Sequence, residues 1–432
     1  MIGCGSIGQG LLPLLFSIFA IRSEQVTIIT ADEKGRPVAE QFGVRYLVEP
    51  VTPDNLSPLM SRHLQAGDLL LNLSVSVSSL ALIALCKTRE VLYLDTCIEP
   101  WGGGYLAHDI CNLQTTNAWL RDQALALHTP GAPTAVIAHG MNPGLISHLL
   151  KEALLALARN RDVAIHVTPD WGALAQRLGV KVVHIVELDT QDDGQPLQPG
   201  EFANTWSAEG LYSEAWLQHA EIGWGSHERD FPVGASSLLS GRALCLAQQG
   251  ANITVKSWMP ALGEQQGLLI THHEVLSIAE LLDTGEYRPS VCYVYTPCPK
   301  ATASLANLQS GHPVAAFRVL ACDALQGFDK IGVLLMHETG ALWHGCTLSG
   351  DEARRLAPHN SATSLQVVAG IIGALSWMLD HPHQGVVEAE SIDSLRVLAV
   401  ARPYLGTISA IETDWRPGAD LTFDEFLLTG TT

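Results

Sequence analysis

The stretch from Glu187 to Glu228 carries nine acids and neither lysine nor arginine, interleaved with Phe202, Trp206, Tyr212, Trp216 and Trp224. Carboxylates hold ammonium groups through charge-assisted hydrogen bonds, and an indole face attracts a desolvated cation by roughly 2 kcal/mol. Acid plus aromatic therefore describes a pocket for an alkylammonium ion. It describes a solvated acidic face over core tryptophans equally well, and composition leaves both open. His272-His273-Glu274 adds a candidate proton-transfer group, with no partner at metal-ligand spacing.

A second set of residues points to a dinucleotide. Gly3-Cys4-Gly5-Ser6-Ile7-Gly8 fits G-x-G-x-x-G and runs straight into helix-forming residues. Glycines there let the backbone turn sharply and approach a pyrophosphate, whose charge then sits on a helix N-terminus. The next apolar run ends just before Asp32, 24 residues past Gly8, where a carboxylate can accept from a ribose diol. Glu33 beside it opposes a 2′-phosphate, so NAD is favoured over NADP, although Lys34 and Arg36 pull the other way. Three further polar tips follow apolar runs: Asn72 to Ser76 with Ser74, Asp95-Thr96-Cys97 with Glu99, and His139 to Gly144 with Asn142. In a parallel sheet such tips face the ligand, so Ser74, Asp95, Thr96 and Asn142 are expected around the nicotinamide half.

These positions require a doubly wound sheet. Apolar runs at 26–30, 44–48, 68–75, 91–98 and 134–138 alternate with segments long enough for helices. The expected fold is α/β, with a Rossmann-type NAD domain over residues 1–145 and an α+β substrate and dimerisation domain over 146–355. A helical segment over 356–432 is expected to return to the NAD domain. Strands are read at 163–168, 180–188, 315–322 and 331–336, and a long apolar helix at 360–379. Only Met1 and Ile2 precede Gly3, so the first strand is either very short or partly outside this sequence.

With 432 residues, 47% hydrophobic and 16% charged, the chain can bury a large core and is no disordered segment. Its net charge of −19 disfavours nucleic acid and anionic membranes as partners and suits cationic ligands. The nine scattered cysteines read as reduced thiols, and the apolar run Leu11 to Ile21 is too short to span a bilayer; a cytoplasmic protein is expected.

The segments GCGSIGQG, DTCIEPW, HGMNPG, FANTWSAEG, EIGWGSHE and ATSLQVVAG together resemble bacterial homospermidine synthase, of the saccharopine dehydrogenase-like group, over nearly the whole chain. The resemblance implies a homodimer with tightly held NAD that converts two putrescines to homospermidine plus ammonia by hydride transfer without net redox change. Putrescine, homospermidine and spermidine are the amines it implies. It assigns catalytic positions to Glu99, Asn142, Glu187, Trp206, Glu214 and His273; because one amine must lose a proton before its carbon gives up a hydride, His273 or Glu214 is the candidate base. Two rivals remain: a reductase of carboxylated amino-acid conjugates, such as saccharopine dehydrogenase or a carboxyspermidine-type enzyme, and a non-catalytic NAD- or polyamine-binding sensor. Carboxylated substrates call for arginine clamps, for which Arg229 and Arg288 are the available residues.

Overall fold

The computed structural model describes residues 1–105, 116–167 and 169–428. Its first sheet is parallel throughout, in the order Arg45–Val48, Thr27–Thr30, Ile2, Leu69–Asn72, Leu92–Asp95, Ala135–Val136, Val386–Val387. Ile2 alone stands where a strand is expected. It pairs with Ile29 on one side and Asn72 on the other, and its N–H and C=O are bonded to Leu71 and Leu73 at 2.8 Å. One residue thus keeps the sheet continuous, and the chain enters the glycine loop directly from it.

The second sheet has ten strands. Val180–Asp189 lies at its centre, parallel to Ser290–Thr296 and antiparallel to Phe328–His337. Gly340–Ser349 and Thr407–Thr413 extend it on one side, and His219–Gly223, Ala243–Gln249 and Ser236–Leu238 on the other; the hairpin Thr254–Met259 and Gly263–Leu269 also joins Ser290–Thr296. Two strand expectations are corrected. Residues 163–167 form no strand: Ile165 and Val167 are exposed, and Pro169-Asp170 starts a helix instead, with Asp170 capping Ala173 N at 2.9 Å. The run at 315–322 contains a strand, Ala316–Val319, but it pairs with Glu201–Asn204 in a separate sheet.

Residues beyond 355 serve both sheets. Val386–Val387 completes the parallel one, while Thr407–Thr413 is an edge of the other. Helix Ala362–Asp380 begins at a reciprocal Ser361/Ser364 cap. It is long and apolar enough to cross a membrane by length and composition, yet 89% of its apolar window is buried within the protein. Leu365, Val368, Ile371 and Ile372 are fully buried, each contributing about 1.5–3 kcal/mol relative to exposure. The helix packs against the first helix, Ser6–Ile18, where Asn360 donates to Gly10 O at 2.9 Å. Its Gly370 lies so close to the Gly140 carbonyl that a Cβ there would sit 1.9 Å from the oxygen, so only glycine lets the His139–Gly144 loop lie on this helix.

Candidate functional site

The three glycines of the opening loop differ in what surrounds them. Gly3 has φ +86°, and a Cβ there would meet Leu73 O at 2.6 Å; a Cβ on Gly8 would lie 3.1 Å from Gly3 O; Gly5 has nothing within 4 Å. A tight turn, a close helix contact and an open approach to the helix N-terminus are what a pyrophosphate cradle requires. Gly5 is the N-cap of the helix starting at Ser6 and Ile7, and it has no side-chain cap that would compete for the free N–H groups. Asp32 is exposed after strand Thr27–Thr30. Both neighbouring cations are engaged by acids: Lys34 Nζ is 3.6 Å from Asp32, and Arg36 is bonded to Glu33 and lies 4.8 Å over the Tyr46 ring. Ser74 donates to Asn72 at 2.6 Å and stays half-buried at its strand tip, as does Thr96 at the next.

Asp95 is corrected. It is fully buried, with Ala138 N donating to one oxygen at 2.6 Å and the Tyr93 hydroxyl to the other at 2.7 Å. Both oxygens are engaged in tying adjacent strand ends together inside the core.

A narrow cavity lies beside these strand tips, bordered by Cys97, Glu99, Tyr105, Glu214, His272 and His273. Glu99 is positioned by the turn after Leu92–Asp95, its N–H bonded to Ser79 Oγ at 3.0 Å. Burial, and then the charge of Glu214, push its carboxyl up to about 7. Glu214 comes from a π-helical turn, Ser213–Leu217, that follows the Ser207-capped helix Ala208–Tyr212; such wide turns often carry functional side chains.

His272 stands between two acids. Its Nδ1 is 2.8 Å from Glu274 and its Nε2 3.6 Å from Glu214, with the ring 4.6 Å from that of Tyr293. Burial favours the neutral ring, but Glu274 and Glu214 outweigh it and raise the pKa well above the ordinary histidine value, so the ring is an imidazolium at neutral pH. His273 also borders the cavity, with Nε2 2.7 Å from Glu388. Sequence reasoning took His273 and passed over His272; the signal available was His-x-Glu, with Glu274 two residues on. It also missed Tyr293 and Glu388.

Glu187 sits on the central strand and is buried, accepting from Asn142 Nδ2 at 3.0 Å and the Tyr293 hydroxyl at 2.7 Å. Burial raises its carboxyl to about 7, and nearby Asp189 is likewise raised to about 6. Trp206 touches the glycine loop through its carbonyl, which accepts from Ser6 Oγ at 3.3 Å, and its ring lies against Gly210, a cavity residue, where a Cβ would meet Cζ3 at 2.8 Å. Of the expected site residues, Glu99, Glu214 and His273 border the cavity itself; Trp206 lies behind the cavity residue Gly210, and Asn142, which holds Glu187, precedes the cavity residue Pro143.

The rest of the acid-rich stretch does other work. Glu221 accepts from Asn117 N and Ala118 N at 2.7 and 3.0 Å, and Glu228 from Ser290 and Phe423 N. Trp224 packs edge-on against Phe231 and Phe423 in the core, and Tyr212 against Phe202 and Phe317. Arg288 donates to Trp224 O at 2.6 Å and pairs with Asp283, while Arg229 is exposed. Neither borders the cavity.

A dinucleotide cradle, an acidic cavity without lysine or arginine on its described wall, and an imidazolium between carboxylates suit chemistry on a cationic amine. Residues 1–136 match the model of the saccharopine dehydrogenase NADP binding domain, and 140–411 that of the saccharopine dehydrogenase C-terminal domain. The chain is 41% identical to homospermidine synthase of Blastochloris viridis over 96% of this chain and 91% of that one. To homospermidine synthase of Mesorhizobium japonicum it is 38% identical, over 96% and 90%. The crystal structure of homospermidine synthase from Legionella pneumophila in complex with NAD matches at a TM-score of 0.91 and 40% identity, over 99% of this chain and 97% of that one. The chain belongs to the homospermidine synthase family, within the saccharopine dehydrogenase group.

Proposed function

We propose that this protein is an NAD-dependent homospermidine synthase joining two putrescines with loss of ammonia. The observation that carries the reading is the unbalanced negative charge of the cavity, where Glu99 and Glu214 face each other with the one imidazolium of His272 beside them. A protonated diamine supplies the missing cations. The open backbone at Gly5 and the exposed Asp32 fit a dinucleotide, and the pairing of Lys34 with Asp32 and of Arg36 with Glu33 leaves neither free for a 2′-phosphate, so NAD fits better than NADP. Held by the glycine loop and Asp32, a bound NAD would supply the hydride acceptor for the carbon beside one amine and the hydride donor for the later carbon–nitrogen double bond.

The chain's own residues bind, orient and move protons. Glu99 and Glu214 hold the amines, and Asn142, fixed by Glu187, orients the reacting end. The Trp206 ring faces the positive charge that develops on the protonated imine and stabilises it by roughly 2 kcal/mol. His272 gives a proton to the departing ammonia from Nε2, while the buried Glu274 holds its Nδ1. We take the working form to be a cytoplasmic homodimer.

Putrescine and NAD⁺ alone are expected to give ammonia and homospermidine in equal amounts without accumulation of NADH. Steady NADH formation, or a requirement for a carboxylated amine, would overturn the reading in favour of a conjugate dehydrogenase. The absence of arginine from the described cavity wall weighs against that rival.

A further inference from the structure

One buried ionic junction near the cavity takes no part in the steps above. Glu388, directly after strand Val386–Val387, is 7% exposed. Arg121, on helix Asn117–Ala126, donates Nε and Nη2 to its two oxygens at 2.6 and 2.7 Å, and uses Nη1 on Glu280 at 2.7 Å. His273 Nε2 lies 2.7 Å from the oxygen that Arg121 Nε also contacts. A carboxylate gripped by a bidentate arginine is ionised and only accepts, so the proton in the His273 contact belongs to Nε2. In the neutral ring Nδ1 is then the acceptor.

We propose that Glu388 is a positioning residue for the reaction: it locks cavity-lining His273 as the Nε2–H tautomer, leaving Nδ1 as the nitrogen that takes a proton from substrate amine. The inference rests on the synthase reading and deepens it. The neighbouring histidines are anchored through opposite nitrogens, His272 by Nδ1 on Glu274 and His273 by Nε2 on Glu388. One ring is thereby placed to give a proton and the other to take one. The reaction needs both, since one amine must lose a proton before its carbon is oxidised and ammonia must gain one to leave. The anchor also crosses the seam between sheets: Glu388 and Arg121 belong to the dinucleotide side, and His273 enters from the start of helix Glu274–Leu281. The charged groups facing this junction are Arg121 and Asp122 on one helix, Glu280 on another, Asp95 at its strand end, and Glu99, Glu214 and His272 across the cavity.

The test is Glu388→Gln, read as homospermidine formation across pH. Removing the negative charge takes away the group that anchors the His273 ring, so the pH dependence of kcat is expected to change. An amide can also donate to Nε2 and favour the wrong tautomer, so the plateau kcat should drop roughly tenfold or more while KM for putrescine changes little. Glu388→Asp should restore part of kcat, and Glu280→Gln should keep the parent pH profile. An unchanged profile and kcat in Glu388→Gln, with only a lower Tm, would reduce Glu388 to a structural ion pair. Should that variant fold poorly, ¹⁵N spectra of histidine-labelled parent protein, with His273 assigned by its loss in His273→Asn, read the tautomer directly. A protonated Nε2 supports the proposal and a protonated Nδ1 overturns it. That readout needs no turnover, so it is distinct from a failure of the synthase activity itself.

Discussion

Two clusters of acids, drawn partly from the same stretch of sequence, meet opposite fates. Asp192, Asp193 and Glu201 are matched by Lys300, 2.5 and 2.8 Å from the two aspartates, and by Arg318, 2.6 Å from Asp193 and 2.7 Å from Glu201. Hydrogen bonds from these cations outweigh burial at Asp193 and Glu201, and all three carboxyls are held below their ordinary range. Among the described residues Glu99 and Glu187 receive no lysine or arginine, and burial drives both up to about 7. Acidity alone therefore does not mark the amine site. What marks it is acidity from which the fold withholds counter-ions, so that the substrate's own charges complete the balance.

The sharpest way to break this contrast is Glu214→Gln. Losing one charged partner of an ammonium is worth about 1.5–3 kcal/mol, so putrescine affinity should fall roughly tenfold to a hundredfold. NAD affinity should be untouched, because Glu214 lies on the second domain's wall of the cavity. Calorimetric titration of each ligand checks this, and unchanged diamine affinity would remove Glu214 from the site.

A smaller effect comes from pH. In the free protein Glu99 is neutral below about 7, whereas putrescine remains a dication until near pH 10. Putrescine affinity should therefore weaken as pH falls below about 7, by up to tenfold per unit for one linked carboxyl, and binding should release a proton. For apo-protein stability the sign is reversed. A carboxyl raised from 4.5 to about 7 costs stability as pH climbs through that window, because the unfolded chain ionises first. Titrations in buffers of different ionisation enthalpy measure the released proton; a flat affinity with no release would show that Glu99 does not meet the amine.

The contrast also shows what was legible beforehand. The glycine loop was readable because its chemistry is local: three glycines, one helix start and one acid at the next strand end. The polar strand tips were readable as a group, since an open parallel sheet sends them to one edge. Individual roles were not. An aspartate at a strand end satisfies itself equally on a neighbouring backbone N–H, as Asp95 does on Ala138. Nor could the absence of basic residues across 187–228 reveal that Lys300 and Arg318 arrive from about a hundred residues away. Of two adjacent histidines, which one meets Glu214 depends on how the helix at Glu274 begins, and spacing does not encode that.

The smallest effect on the amine, and the control for the whole comparison, belongs to Asp193→Asn. Asp193 accepts from both Lys300 and Arg318, but each cation keeps another acid, Asp192 and Glu201 respectively. The cost should therefore stay near about 1–2 kcal/mol, below the several kcal/mol of a buried charge left wholly unpaired. Because the carboxyl is held low in the folded chain, its stabilisation is present at neutral pH and disappears as pH falls through the acid range. Thermal unfolding at neutral and acidic pH should show parent and variant converging on the acidic side. Putrescine affinity should not move, since the charge removed was already balanced inside the protein. A loss matching that of Glu214→Gln would mean that the two acid clusters act as a single field and that the missing counter-ions do not single out the cavity.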